Sequence, residues 1–424
     1  MPKTLNVLHT SDWHLGRRLY GHARYDEFTQ FLDWLYECLC TQAIDVLIVA
    51  GDIFDTMTPS NRAQQLYYQF LARIAQTQEC PCRHVVIVAG NHDSPSLVDA
   101  PKHLLKQLNV HVIGSATDDI ADEVITLTDA NGNPQAIIMA VPYLRDRDVR
   151  VSFSAQSGED KHTQLIAGIQ AHYQHAHNIA KQRLAQCQQS YPSDTPPLIA
   201  TGHLYASGAI TTADDGVREL YIGTLGHINA DIFDKDIDYV ALGHLHVPQK
   251  VGGHEHIRYS GSPIPMGFGE AKQSKQVLKV SFTGQNPCIT ALAVPTFQRL
   301  TQIKGNLAHI KTELKKLVKD NQSIWVEVVY DGSDSVIQTN LNQQLNELVE
   351  NSNIQLLKIF NQQSFDKILR QQGKQAVHLH ELDEIEVFER CLQINAISDA
   401  ERPALMNCYQ QILYEMRHED AQAE

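Results

Sequence analysis

Five short apolar runs occur within the first 250 residues, and each ends in the same way. Leu5 to Thr10 runs into Ser11-Asp12-Trp13-His14, Asp45 to Ala50 into Gly51-Asp52-Ile53-Phe54-Asp55, and Val85 to Ala89 into Gly90-Asn91-His92-Asp93. Leu198 to Thr201 delivers Gly202-His203, and Tyr239 to Leu242 delivers Gly243-His244-Leu245-His246. Runs that are apolar throughout, instead of alternating, predict strands covered on both faces, and such sheets carry their sites at the carboxyl ends of the strands. All five endings are expected on one rim.

Between the first runs the period changes. Phe28, Phe31, Leu32 and Leu35 recur at helical spacing between Tyr25 and Leu39, and Leu66, Tyr67, Phe70, Leu71 and Ile74 follow the polar stretch Thr56 to Asn61. Strands alternating with helices predict a parallel sheet with right-handed crossovers. Val124–Leu127 and Ala136–Val141 then flank Asp129-Ala130-Asn131-Gly132-Asn133, which reads as a strand, an Asn-Gly turn and a strand of a second sheet packed on the first. Arg145, Arg147 and Arg150 crowd together before a Gln/His-rich helix at about Lys161 to Gln189, whose His172, His175 and His177 are expected at the surface. Two more strand-like runs, Gln276 to Phe282 and Ile289 to Val294, follow the loop Tyr259-Ser-Gly-Ser-Pro-Ile-Pro265.

The main boundary is expected near Pro295. Residues 1–295 form the larger domain. Residues 296–375 form a small α+β module: a helix on Leu307, Ile310, Leu314 and Leu317, a strand Ile324 to Tyr330, a helix on Leu341, Leu345, Leu348 and Val349, and a strand Ile354 to Phe360. Residues 376–424 carry two amphipathic helices, one lined by Leu382, Ile385, Phe388 and Leu392, the other by Leu405, Tyr409, Ile412, Leu413 and Met416. So short a pair buries little alone; it either docks on its own chain or is offered to a partner. The expected fold is α/β, a two-sheet sandwich flanked by helices with these two additions.

A chain of 424 residues exceeds the size at which one core usually keeps growing, which agrees with more than one domain. Its formal net charge of −14 argues against gripping nucleic acid through a broad basic surface alone. It does not argue against a nuclease, because bound divalent cations reset the local field where phosphates sit. Eight scattered cysteines with no CxxC read as reduced structural thiols and a cytoplasmic protein. Neither a signal peptide nor an apolar run long enough to span a membrane is apparent.

The candidate ligands Asp12, His14, Asp52, Asn91, His203, His244 and His246 mix imidazole nitrogen with carboxylate and amide oxygen and include no thiolate, unlike a structural zinc knuckle. One divalent ion needs four to six ligands, whereas seven protein ligands with one shared carboxylate suit two ions about 3.5–4 Å apart. Asp52, placed after a glycine on a central strand, is the expected bridge. Mixed N/O ligation favours manganese, with iron and zinc as alternatives. A lone Asp-x-His turn is often only a polar loop; five such endings in one chain, several behind glycines that permit close backbone approach, are not.

The order of these motifs resembles the calcineurin-like metallophosphoesterase superfamily and, within it, the SbcD family of nuclease subunits. The resemblance rests on His9-Thr-Ser-Asp-Trp-His-Leu-Gly16, Val49-Ala-Gly-Asp-Ile-Phe-Asp55, Ala89-Gly-Asn-His-Asp-Ser94, Ala200-Thr-Gly-His203, Ala241-Leu-Gly-His-Leu-His246, the loop Tyr259 to Pro265 and Val387-Phe388-Glu389-Arg390. Gly267-Phe268-Gly269-Glu270 departs from it, an acidic residue being expected before the glutamate. The resemblance implies a metallophosphoesterase sandwich whose first metal is held by Asp12, His14, Asp52 and His246 and whose second is held by Asp52, Asn91, His203 and His244. His92 would then steady the transition state or protonate the leaving oxygen, with Asp93 or Asp55 orienting it. It further implies an exonuclease on double-stranded DNA and endonuclease on single strands and hairpins, acting with an SbcC-type coiled-coil ATPase in DNA repair and recombination. The nuclease subunit would form a homodimer through the stretch from Asn61 to Gln76, and its C-terminal helices would bind the ATPase. The module after Pro295 would be a capping domain that touches DNA. Arg145, Arg147, Lys311 and Lys315 are the candidate DNA contacts, solvated loop and helix faces being the plainer reading. Two rivals remain: a free-standing phosphatase or phosphodiesterase with the same metal core, and a scaffold for the ATPase whose metals only stabilise the fold.

Overall fold

The computed structural model describes residues 4–77, 79–149, 158–191, 195–206, 228–332, 338–362, 388, 392 and 402–411, with the backbone only for 158–162 and 338–339. By their internal contacts the residues fall into two units, Met1–Arg17 with Ala23–Phe297, and Arg18–His22 with Gln298–Glu424.

The first unit holds two six-stranded sheets. In one, the strands Thr4–Thr10, Val46–Ala50, His84–Val88 and Val110–Ile113 pair in parallel, and the hairpin Gln276–Thr283/Asn286–Ala293 adds antiparallel to the outer side of Thr4–Thr10. In the other, Pro134–Met139, Leu198–His203, Tyr239–Gly243 and His254–Tyr259 are parallel, and Val124–Thr128 and Gln249–Val251 close the two edges antiparallel. The Asn-Gly turn is present: Asp129 and Asn133 close it and Gly132 takes φ 81°.

The continuous apolar runs have the expected cause. Each central strand is buried on both faces: Val7, Val46, Ile48, Val86 and Val88 meet Ile138, Ile199, Tyr239 and Ala241 between the sheets. On the outer face of the first sheet, Leu8, Leu47 and Ile87 pack against Phe28, Phe31, Tyr67 and Phe70 of the helices Tyr25–Thr41 and Asn61–Gln76. The second helix starts where the polar stretch ends, the Ser60 hydroxyl accepting from the Ala63 N–H at 3.2 Å. The outer face of the second sheet is covered by the long helix Gly158–Ser190 through Leu165, Ile169, Tyr173 and Ala176. This is the helix-flanked α/β sandwich expected.

One expectation fails on that long helix. His172 and His177 are buried, not at the surface, and only His175 is exposed. His172 Nε2 bonds Glu123 at 2.7 Å, and His177 sits between Asp234 and Asp236, at 3.4 and 2.6 Å. A Gln/His-rich composition hides the apolar stripe because these imidazoles are matched by the carboxylates of Glu123, Asp234 and Asp236, outside the helix.

In the second unit, Arg299–Gly305, Ile324–Tyr330 and Ile354–Asn361 make a three-stranded parallel sheet. The helices Leu307–Asp320 and Gln338–Val349 cross between them, so the module is a βαβαβ unit. Its first strand is not foreseen, because Arg299-Leu-Thr-Gln-Ile-Lys-Gly305 alternates polar and apolar residues too briefly to stand out. Tyr20, from the segment Arg18–His22 of this unit, bonds Glu327 at 3.1 Å and Lys358 at 3.2 Å. In the tail the rings of Phe388 and Tyr409 stack at 3.9 Å and Leu392 is buried; Leu382, Ile385 and Ile412 lie outside the described residues. No helix among the described residues is long and apolar enough to cross a membrane.

Candidate metal centre

Asp12, His14, Asp52, Asn91, His203, His244 and His246 all lie at or just past strand ends and are all buried. The backbone is bent to bring them there. Eight non-glycine residues among those described have positive φ, and four of them are Asp12 at 54°, His14 at 48°, Asp52 at 51° and His244 at 102°. Such conformations cost about 1–3 kcal/mol each and persist where the surroundings over-determine them. Glycines make room beside these residues: a Cβ on Gly51 would strike the His203 ring, one on Gly90 the Asp52 carboxylate, and one on Gly243 the Ala50 carbonyl.

The imidazoles are aimed from behind. His203 Nδ1–H donates to the Ala50 carbonyl at 2.9 Å, and His14 Nδ1 faces an Asp55 carboxylate oxygen at 3.3 Å. Their Nε2 atoms are thereby left to face inward. His14 Nε2 and His246 Nε2 are 3.2 Å apart; Asp52 Oδ2 lies 3.6 Å from His14 Nε2 and 3.2 Å from His203 Nε2. Asn91 Oδ1 is 3.0 Å from both His203 Nε2 and His244 Nδ1. One oxygen of Asp52 thus reaches a histidine on either side. The donor atoms of Asp12, His14 and His246 form one compact group, those of Asp12, Asp52 and His203 another, and those of His14, Asp52 and His92 a third.

Hard oxygens and imidazole nitrogens crowded this closely, away from water, are the donor set of a divalent cation. The buried His244 Nε2 finds no partner among the described residues, so the site's polar atoms are not all satisfied by one another. The carboxylate and the imidazoles perturb one another strongly. Burial depresses His203, but the Asp52 carboxylate overrides this and raises it to about 9, while Asp52 itself, despite burial, is held well below the usual range by His203. Burial and then His203 push His244 down to about 3.

Around this centre the supporting residues divide their tasks differently from expectation. His92 Nδ1–H donates to the main-chain carbonyl of Asp55 at 2.8 Å, so neither the Asp55 nor the Asp93 carboxylate orients it. The Asp55 carboxylate serves His14 and Arg17, the latter at 3.0 Å. Asp93 is fully buried and accepts the N–H groups of Ile53, Phe54 and Gly90 at 2.8–3.1 Å, fastening the second and third loops together. Burial and the nearby Asp52 raise it to about 6. Arg145 Nη2 donates to the Asp93 carbonyl at 3.1 Å, whereas the exposed Arg147 faces Asp148 at 3.5 Å. In the second unit Lys311 bonds Gln344 at 2.7 Å and Lys315 is exposed.

Sequence reasoning does not foresee Ser11, Ser260, Ser262, Glu270 or Lys275. Ser11 donates to Asp12 and meets Ser260 at 2.9 Å; Glu270 lies 3.0 Å from His246 Nδ1. Their signals in the sequence are the loop Tyr259 to Pro265 and the segment Gly267 to Glu270, whose tasks become visible only once the fold brings them to the ligands.

Residues 5–248 match the family model of the calcineurin-like phosphoesterases, and residues 296–395 match one described as the type 5 capsule protein repressor C-terminal domain. The chain is 35% identical over 421 residues to the SbcD subunit of the SbcCD nuclease of Escherichia coli (strain K12), covering 98% of this chain and 99% of that one. It is 33% identical to the SbcD subunit of Rhodobacter capsulatus, over 66% of this chain and 67% of the relative. With Bacillus subtilis the figures are 31%, 64% and 65%. The chain belongs to the calcineurin-like phosphoesterases and, within them, to the SbcD family of SbcCD nuclease subunits.

Proposed function

We propose that this chain is the nuclease subunit of an SbcCD-type complex, a metal-dependent hydrolase of DNA phosphodiesters. The observation that carries the reading is the clustering of seven donors from five strand ends, with Asp52 reaching His14 on one side and His203 on the other. Asp12, His14, Asp52 and His246 would hold one divalent ion, and Asp52, Asn91, His203 and His244 a second; manganese suits the mixed donor set. When bound, such a pair supplies a water nucleophile at neutral pH and offsets charge on the phosphoryl oxygens. The protein's own contribution is placement. The backbone bends at Asp12, His14, Asp52 and His244 fix the donors before substrate arrives. His92, anchored by Nδ1–H on the Asp55 carbonyl, leaves Nε2 for the substrate, where it would steady the transition state or, as imidazolium, give its Nε2 proton to the leaving oxygen.

The remaining parts extend the reading. The exposed Arg147 and Lys315 can reach phosphates, while Arg145 and Lys311 are partly committed within the protein. The C-terminal residues around Phe388 and Leu392 would receive an SbcC-type coiled-coil ATPase. The stretch from Asn61 to Gln76 would pair two copies of the chain as a homodimer, and the exposed Leu104 and Leu108 of the same unit give further apolar surface for it. Free thiols at all seven described cysteines suit a reducing cytoplasm.

The test is an assay of the purified chain with manganese on hairpin DNA and on a generic phosphomonoester, with and without the ATPase. Cleavage of the hairpin, enhanced by the ATPase, is expected. Hydrolysis confined to the monoester would favour a free-standing phosphatase instead.

A further inference from the structure

Glu270 is fully buried, at the end of the short helical turn Phe268–Glu270, and its two carboxylate oxygens have separate duties. Oε2 accepts from the Ser262 hydroxyl at 3.2 Å, from the Met266 N–H at 3.0 Å and from the Lys275 ammonium. Oε1 faces His246 Nδ1 at 3.0 Å. Lys275 is itself buried and also donates to the His246 carbonyl at 3.3 Å and to Ser262 Oγ at 2.9 Å. One buried ion pair therefore grips His246 by both its ring and its main chain.

A carboxylate accepts and does not donate, so the proton on the His246 ring must sit on Nδ1. Nε2 is then the free nitrogen, and it is this atom that points at His14 Nε2, 3.2 Å away. Because Oε2 is taken up by three donors, the carboxylate has no freedom to swing away from the ring. Gly269, where the sequence departs from the family pattern, is exposed, while Glu270 beside it is not. The segment's work thus lies in the glutamate.

We propose that Glu270, held by Lys275, is the positioning residue that fixes the tautomer and aim of His246, and so sets the affinity of one metal position and not of the other. The proposal rests on the two-ion reading above and adds a residue to it. Removing an outer partner of this kind weakens metal binding about 10–100-fold. Because Glu270→Ala leaves Lys275 buried and uncompensated, the double variant Glu270→Ala/Lys275→Met, which deletes both charges, is the safer companion.

The experiment is a calorimetric titration of the full chain with manganese, with circular dichroism on the same samples. Wild type should bind two ions; both variants should keep one at wild-type affinity and bind the other about 10–100-fold more weakly. In parallel, proton–nitrogen NMR of the zinc-loaded wild type should show a slowly exchanging Nδ1–H signal that is absent from His246→Ala and from Glu270→Ala. Two undiminished ions in a folded variant, equal weakening of both, or no such signal in wild type would overturn the proposal. A wild-type chain that binds no manganese would overturn the metal reading, and this inference with it.

Discussion

At φ 51° and buried near His14, His92 and His203, Asp52 occupies a conformation uncommon for a residue with a side chain. Its Oδ2 reaches toward His14 on one side and His203 on the other, while Oδ1 accepts the His92 N–H at 2.9 Å. If both metal positions depend on it, Asp52→Asn should weaken both ions in a calorimetric titration, whereas Asn91→Ala should weaken one. His92→Ala should bind two ions as wild type does and yet lose about 10²–10⁴-fold in cleavage rate; substantial remaining activity would remove His92 from the chemistry. A third residue reports on stability. Burial, with His84 and Lys106 adding to it, lowers His111 to about 4, against an ordinary value near 6.5. Below about pH 6.5 the unfolded chain takes up a proton that the native state refuses, so stability should fall as pH drops from 6.5 toward 4. Melting temperatures at pH 7 and pH 5 should differ less in His111→Gln than in wild type.

At the scale of elements, the strands of the first unit were legible because their burial on both faces makes them apolar from end to end, as Val46–Ala50 and His84–Val88 show. The candidate donors are legible for a related reason: a carboxylate or imidazole directly after such a run has no packing role. What was not legible depended on partners distant in sequence. His172 reads as solvated because nothing nearby announces Glu123, 49 residues away, and Glu270 is explained only by His246 and Lys275 meeting it in the fold. Arg299–Gly305 is illegible because a half-covered strand at the edge of a three-stranded sheet carries a weak pattern. The glycines at strand ends give the element-scale prediction. Gly243→Ala would press a methyl group on the Ala50 carbonyl and the His203 ring, and should cost about 1–3 kcal/mol in denaturant unfolding together with manganese affinity.

For the whole molecule, the candidate metal centre lies in the first unit, and the proposed ATPase contact is in the C-terminal residues. A chain ending near Gln375 should therefore still bind manganese and should fail to co-purify with the ATPase; co-purification of the truncated chain would move the partner surface elsewhere. All of this presupposes cations at the meeting point of the strand ends. The most direct measurement is anomalous scattering from crystals grown with manganese. Two peaks are predicted, on either side of the Asp52 carboxylate, one beside His14 and His246 and one beside Asn91, His203 and His244. A single peak remote from Asp52, or none, would contradict the account.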